Sequence, residues 1–448
     1  MNTKLDFIQG NTRKCLAAMV LPIMIAMFLN MAYNLVDSLW IGNLLGEKSY
    51  AALTNSTPII LILNSIAMGA TNGVSILLSQ AIGAKEKEKA EKMIATSLVV
   101  AVVFSLLVTA VLEVILTPVL TLLNTPQEIM PAAYDYLSWY ILGYLAVYLY
   151  CYFTAVLRSY GNSMFQVIAI LICTVLNAIL DPLFIHFWEL KGAAIATVVS
   201  QTLCLIFMLI YLWKKNLFHL HWSFLDRKWI LPFFKKGLPS AFQQSIPAIS
   251  TSFLTSLVTG YGISALAAYG ITGKLETILF YPAMALSMAL TSIVGQCVGG
   301  KRYDRAKDYM KLGLLWGAIA LVVLSVLVVC FSKPLSYLFV DSEAAAAIVF
   351  EYFLIVGVGY VLNTVTNCFL GSLNGMGKPA KSMLCMVLYY LIVRMPLAWI
   401  LSTLGGGLNG IWIAVLISHV IAAVAATIVA NRELHQQERR ELAAKKCS

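Results

Sequence analysis

The chain has 448 residues, 60% of them hydrophobic and 12% charged, with a mean hydropathy of +0.83 and a formal net charge of +10. Soluble domains carry about 25% charged residues, so this composition excludes a water-facing surface of such size, along with disordered, collagen-like and disulfide-scaffold classes. The basic excess does not indicate nucleic acid: of 31 Lys and Arg, Lys48, Lys191 and Lys333 fall in one alternate set of predicted loops, Lys274 and Arg394 lie in or near apolar runs, and the remaining 26 occupy the termini and the opposite loops.

A membrane-spanning helix needs about 20 mainly apolar residues, and twelve such runs can be read in chain order. They are 16–41, 51–80, 92–118, 131–157, 164–187, 191–213, 237–260, 265–297, 310–337, 345–371, 381–404 and 408–430. The fold class expected is therefore an all-α polytopic membrane protein with twelve transmembrane helices. The charge asymmetry is the positive-inside pattern, which puts both termini in the cytoplasm and the protein in the inner (plasma) membrane. No cleavable signal peptide is expected, because the first apolar run is long and contains an Asp. The basic stretch 214–236 reads as a cytoplasmic linker between an N-terminal lobe (1–213) and a C-terminal lobe (237–430), and 431–448 as a charged, solvated cytoplasmic tail.

The two halves repeat. Gln80-Ala81-Ile82-Gly83-Ala84-Lys85 matches Gln296-Cys297-Val298-Gly299-Gly300-Lys301, Gly46 with Ala51-Ala52 matches Gly262 with Ala267-Ala268, and Leu157 to Gly161 matches Leu373 to Gly377, each pair 216 residues apart. The offset contains six spans, an even number, so the two six-helix lobes share one orientation and are related by a pseudo-two-fold axis along the membrane normal. Paired bundles of this kind are a transporter architecture that rocks around a central cavity.

An ionised side chain in the bilayer costs about 2.5 to 3.5 kcal/mol on insertion scales, so each one needs a reason. Asp37 shares a helical stripe with Asn30, Tyr33 and Asn34. Asp181 stands four residues after Asn177 and beside Pro182, which disturbs the helix and can free a carbonyl. Thr197 on the next span offers a further oxygen. Two carboxyls, an amide oxygen and a hydroxyl suit a hard monovalent cation and equally a proton relay. Glu276, near Lys274, and Arg394 are candidates for lining the second half's cavity or pairing near its mouth. Glu113 reads as interfacial and His419 as a bonded core histidine. Tyr136, Tyr140, Tyr144, Tyr148 and Tyr152, beside Trp139, form an i+4 ladder that suits helix packing or one wall of a cavity for flat cations. The nine Cys form no CxxC pair, and no Walker A, HExxH or GxSxG sequence occurs, so neither an enzyme nor a cofactor is expected and uphill transport would draw on an ion gradient.

Leu21-Pro22, Asn34-Leu35-Val36-Asp37, Gly46 with Ala51-Ala52, Ser79 to Ala84, Arg158 to Asn162, Asn177 to Ile185, Gly237-Leu238-Pro239 and Gly295 to Gly299 together resemble the multidrug and toxic compound extrusion (MATE) transporters over roughly residues 14–430. The resemblance implies two six-helix lobes and export of small amphipathic, often cationic compounds, in exchange for sodium ions or protons, by a monomer. It is nearest the branch with its cation site in the N-terminal lobe, which makes Asp37, Asn177, Asp181 and Thr197 the coupling site and Pro22 the point where the first span bends. Asn34, Tyr140, Tyr144 and Glu276 are the expected cavity lining. The other branch carries acids on spans 7 and 10, where this chain has Pro247 and Asn363. The alternatives are a flippase or exporter of a lipid-linked or metabolite cargo on the same fold, and a channel or scaffold without coupled transport. Only Lys274 and Arg394 would serve to hold phosphates, which counts against the flippase.

Overall fold

In the computed structural model the described residues are 5–123, 125–215, 224–339 and 342–447, so part of the expected linker, 216–223, lies outside them, as do the tail residue Ser448 and the side chains of 444–447. The described residues are 91% helix, with no strand among them. Lipid offers no partner to a free amide or carbonyl, so helices that satisfy their own backbone are the natural form for runs this apolar.

The twelve spans are α1 (Thr12–Gly46), α2 (Lys48–Gly83), α3 (Lys87–Leu122), α4 (Met130–Leu142 and Tyr144–Ser159), α5 (164–187) and α6 (190–215), followed by α7 (Ile230–Thr259), α8 (Ile263–Gly299), α9 (Tyr303–Ser336), α10 (Glu343–Val356 and Gly359–Gly375), α11 (379–401) and α12 (Gly407–Cys447). Some are not straight. The two pieces of α4 meet at 45° and those of α10 at 54°. The break between α5 and α6 falls at Trp188 and Glu189, which leave helical geometry, and α11 contains a π-helical stretch, Val387–Arg394. At Pro22 the helix continues without a non-helical residue.

The 216-residue repeat is also a repeat of backbone conformation. Gly46 and Gly262 take φ of 76° and 99°, Gly161 and Gly377 take 81° and 75°, and Lys85 and Lys301 take 61° and 60°. At Lys85 and Lys301 the helix ends alike: the following amide, of Glu86 or Arg302, bonds the carbonyl five residues back, of Ala81 or Cys297, while Lys85 and Lys301 reach Ile82 and Val298. Asn162 to Leu157 and Lys378 to Leu373 close the ends of α4 and α10 in the same way. This left-handed cap occupies carbonyls that the helix end would otherwise leave bare.

Two compact units form. One comprises Leu21–Ala81 and Glu86–Ala241; the other comprises Met1–Val20, Ile82–Lys85 and Phe242–Ser448. Their edges differ from the lobe limits expected from sequence, for visible reasons. Arg305 donates to the carbonyls of Phe7 and Gly10 and to Thr12, and Phe7 is buried against Tyr309, which ties the N-terminal segment to α9. The start of α7 stays with the first unit because Gly69 and Gly73 back onto Ala241 and Gly237, where an added Cβ would come within 2.3 and 2.5 Å of backbone.

The C-terminal tail is helical and mostly exposed, in keeping with its charge, but it is also tied to the fold along one face. α12 continues through it, and Glu433 and Leu434 are buried. Glu433 accepts from Lys381 (2.5 Å) and Gln437 (3.0 Å), with Lys378 at 3.5 Å, while Glu438 pairs with Lys307 (2.7 Å) and Glu441 with Lys301 (2.8 Å). Burial pushes the Glu433 carboxyl up, but the bonds from Lys381 and Gln437 and the charge of Lys378 more than reverse this and hold it below its usual range.

Candidate functional site

The site is built in the unit holding 21–81 and 86–241, from α1, α5 and α6. On α1 the polar stripe divides: Tyr33 and Asp37 are buried, while Asn34 is exposed and bonds the carbonyl and side-chain oxygen of Asn30 at 2.8 and 2.9 Å. Asn34 is thus turned to its own helix. On α5, Asn177 and Asp181 share a face as the four-residue spacing requires, both fully buried, and the Asn177 amide donates to Oδ1 of Asp181 at 2.9 Å. On α6, Thr197 is buried beside Tyr33. Asp37 and Asp181, on different helices, lie within electrostatic reach of one another.

The hydrogen-bond inventory of this cluster is incomplete. Tyr33 Oη, Asp37 Oδ1, Asn177 Oδ1, Asp181 Oδ2 and Thr197 Oγ1 are all buried, and none has a hydrogen-bond partner of good geometry. A buried acceptor left unpaired costs about 1 to 3 kcal/mol, more when charged. The hydroxyls of Tyr33 and Thr197 can each donate one proton while the carboxylate and amide oxygens only accept, so acceptors outnumber donors, which a proton or a small cation relieves; carboxylate, amide and hydroxyl oxygens are the ligands of hard cations. Among the described residues no group of three His, Cys, Asp or Glu stands at metal-holding distance.

Tyr136, the first rung of the α4 ladder, lies within electrostatic reach of both acids and of Tyr33. Its ladder position on a helix predicted to line a cavity was the available signal, but spacing alone does not say which rung meets the acids. The higher rungs pack: Tyr144 donates to the Leu63 carbonyl at 2.9 Å, Tyr152 to that of Ile94 at 2.8 Å, and Tyr140 reaches Asn64 at 3.5 Å. Glu113 accepts from Ser138 of α4 at 3.0 and 3.2 Å.

The other unit holds Glu276 and Arg394, each in its own set of hydrogen bonds. Glu276 of α8 accepts from Tyr352 and, at 2.5 Å, from Tyr360. Arg394, at the end of the π-helical stretch, donates to Ser418 (3.0 Å) and Tyr389 (2.9 Å) and lies over the rings of Tyr389 and Tyr390. His419 is fully buried and shares a 2.5 Å bond with Tyr389, as expected of a bonded core histidine.

Apolar helices of spanning length and a buried acid pair define a multi-pass membrane protein of the transporter class. The MatE family model matches residues 22–183 and again 239–400, so the second match begins 217 residues after the first (239 against 22), and the chain belongs to the MatE family. It is 29% identical over 432 residues to the "Probable multidrug resistance protein YpnP" of Bacillus subtilis (strain 168), covering 94% of this chain and 95% of that protein. It is 26% identical over 436 residues to the "FAD transporter" of Shewanella oneidensis, covering 94% of each. Among solved structures, an outward-facing multidrug resistance MATE family transporter of the MOP superfamily superposes with a TM-score of 0.92 at 21% identity, over 98% of this chain and 99% of the other. The twelve-helix, two-lobe architecture is that of this family.

Proposed function

We propose that the protein exports amphipathic, cationic drugs or toxic metabolites across the membrane in exchange for sodium ions or protons taken at the Asp37, Asn177, Asp181 and Thr197 cluster. The observation that carries the proposal is the set of buried, unpartnered oxygens on three helices around two carboxyls. Arrival of a proton or cation removes the repulsion between Asp37 and Asp181 and supplies the missing partners. Because Asp37 is on α1 and Asp181 and Thr197 are on α5 and α6, occupancy changes how α1 packs on its neighbours, with Pro22 as the point of bending. Exchange requires that cargo and ion favour different states, and such a repacking provides that difference. The protein acts as a monomer in the inner membrane, and the Lys and Arg distribution supports an orientation with both termini cytoplasmic.

One observation favours a second reading. The similarity to a protein named as an FAD transporter spans nearly the whole chain, which supports export of an anionic metabolite on the same fold. A buried acid pair favours the cationic cargo. Purified protein in liposomes decides the matter: a lipophilic organic cation added to the substrate side should release sodium or protons, followed in parallel with a sodium electrode and a pH dye. Release of neither ion would remove the antiport reading, and release provoked only by a flavin dinucleotide would favour the second.

A further inference from the structure

We propose that a groove between α11 and α12 is a binding site for one anionic phospholipid, with its phosphate on Arg432 and Lys381 and an acyl chain along the groove. The groove is a cavity of about 410 Å³ lined by Lys381, Leu384, Cys385 and Leu388 from α11 and by Ala425, Val429, Arg432 and Gln436 from α12. On each helix these positions recur at three- and four-residue steps, so they form one face per helix. Both faces change from apolar to basic at the same end. α11 passes from Lys381 to Leu384 and Leu388 as it leaves the polar end, and α12 passes from Ala425 and Val429 to Arg432 as it approaches it.

A second cavity of about 310 Å³ adjoins the first and shares Arg432, with His435, Gln436 and Arg439 as its other walls. Neither cavity is lined by a carboxylate. Glu433, beside Arg432 in sequence, is buried and held by Lys378 and Lys381, and Glu438 is held by Lys307 and His435. Arg432 and Arg439 are exposed and carry no ion pair among the described residues. An apolar trough opening onto a basic shelf, where a guanidinium can meet a phosphate with two parallel bonds, matches an anionic amphiphile and not a zwitterionic or neutral one. Leu384 is 59% exposed, so the trough opens toward the acyl region and a chain can enter sideways.

The test is native mass spectrometry and thermal unfolding of the full chain with phosphatidylglycerol or phosphatidylcholine of identical acyl chains, and with inorganic phosphate alone. The wild type is expected to retain one phosphatidylglycerol and to melt higher in it than in phosphatidylcholine. Arg432→Gln should weaken retention about fivefold, and Val429→Trp, which keeps every charge but fills the trough, should abolish it. Equal retention of the two lipids by the wild type would overturn the proposal without recourse to any variant. So would a phosphate effect equal to the lipid's, or unchanged retention in both variants.

Discussion

The Asn177 side chain donates to Oδ1 of Asp181 across 2.9 Å within α5, which fixes one carboxylate oxygen and leaves the buried Oδ2 without a hydrogen-bond partner. Replacing Asn177 with Ala removes both the donor and the amide oxygen. Loss of the donor leaves Asp181 less stabilised by about 1 to 3 kcal/mol, and the cation concentration at half-maximal transport should move about tenfold. Transport against sodium and pH titrations reads this shift. An unmoved midpoint with intact protein would separate Asn177 from the coupling site.

Asp37→Asn and Asp181→Asn keep the shape and one acceptor oxygen but replace the other with an NH2 donor and remove the ionisable group. Each is expected to bind a fluorescent cationic cargo in detergent yet fail to expel it from energised vesicles, because binding no longer distinguishes two charge states. Efflux at the wild-type rate in both variants would refute coupling through this pair.

Two glycines of the C-terminal half differ in what they require. At Gly262, φ is +99° with ψ 175°, a region essentially confined to glycine, and an added Cβ would meet nothing within 4 Å, so Gly262→Ala costs only backbone strain, about 1 to 3 kcal/mol. At Gly371 a Cβ would come within 2.2 Å of the Ser287 carbonyl, so Gly371→Ala must push α10 away from α8. The second substitution should lower the melting temperature more than the first. The reverse order in detergent melts would contradict the packing described.

Docking of the α12 extension should depend on pH in one direction. Glu433 and Glu438 are both held below the ordinary glutamate value, Glu433 by the balance of burial against its lysine and glutamine partners and Glu438 by Lys307. A carboxyl lowered in the folded state adds stability that is present above its unfolded value, about 4.3, and is lost as pH falls through the lower folded value. Cleavage near Arg439 and Arg440 should therefore stay slow from pH 7 to 5 and accelerate below about 4.3. Glu433→Gln should cleave faster already at pH 7, with Leu434 uncovered. A variant protected like the wild type would show that burial of Leu434, not the ion pairs, holds the segment.

Sequence by itself determined the membrane class, the twelve helices, the repeat and the two acids, because each of these is a local or periodic property. Hydropathy over about 20 residues decides a span, and a four-residue step decides that Asn177 and Asp181 share a face. The tertiary structure decided which groups meet. It separated Asn34 from Tyr33 and Asp37 although all three share a stripe, brought Tyr136 to the acids while its fellow tyrosines pack elsewhere, and buried Glu433 in a tail whose composition indicated solvent. The reason is physical: spacing fixes a residue's face on its own helix, whereas its neighbours depend on how other helices lie against that face. The charge pattern of 431–448 is the same in water or against Lys307, Lys378 and Lys381, and only the fold places those lysines within reach.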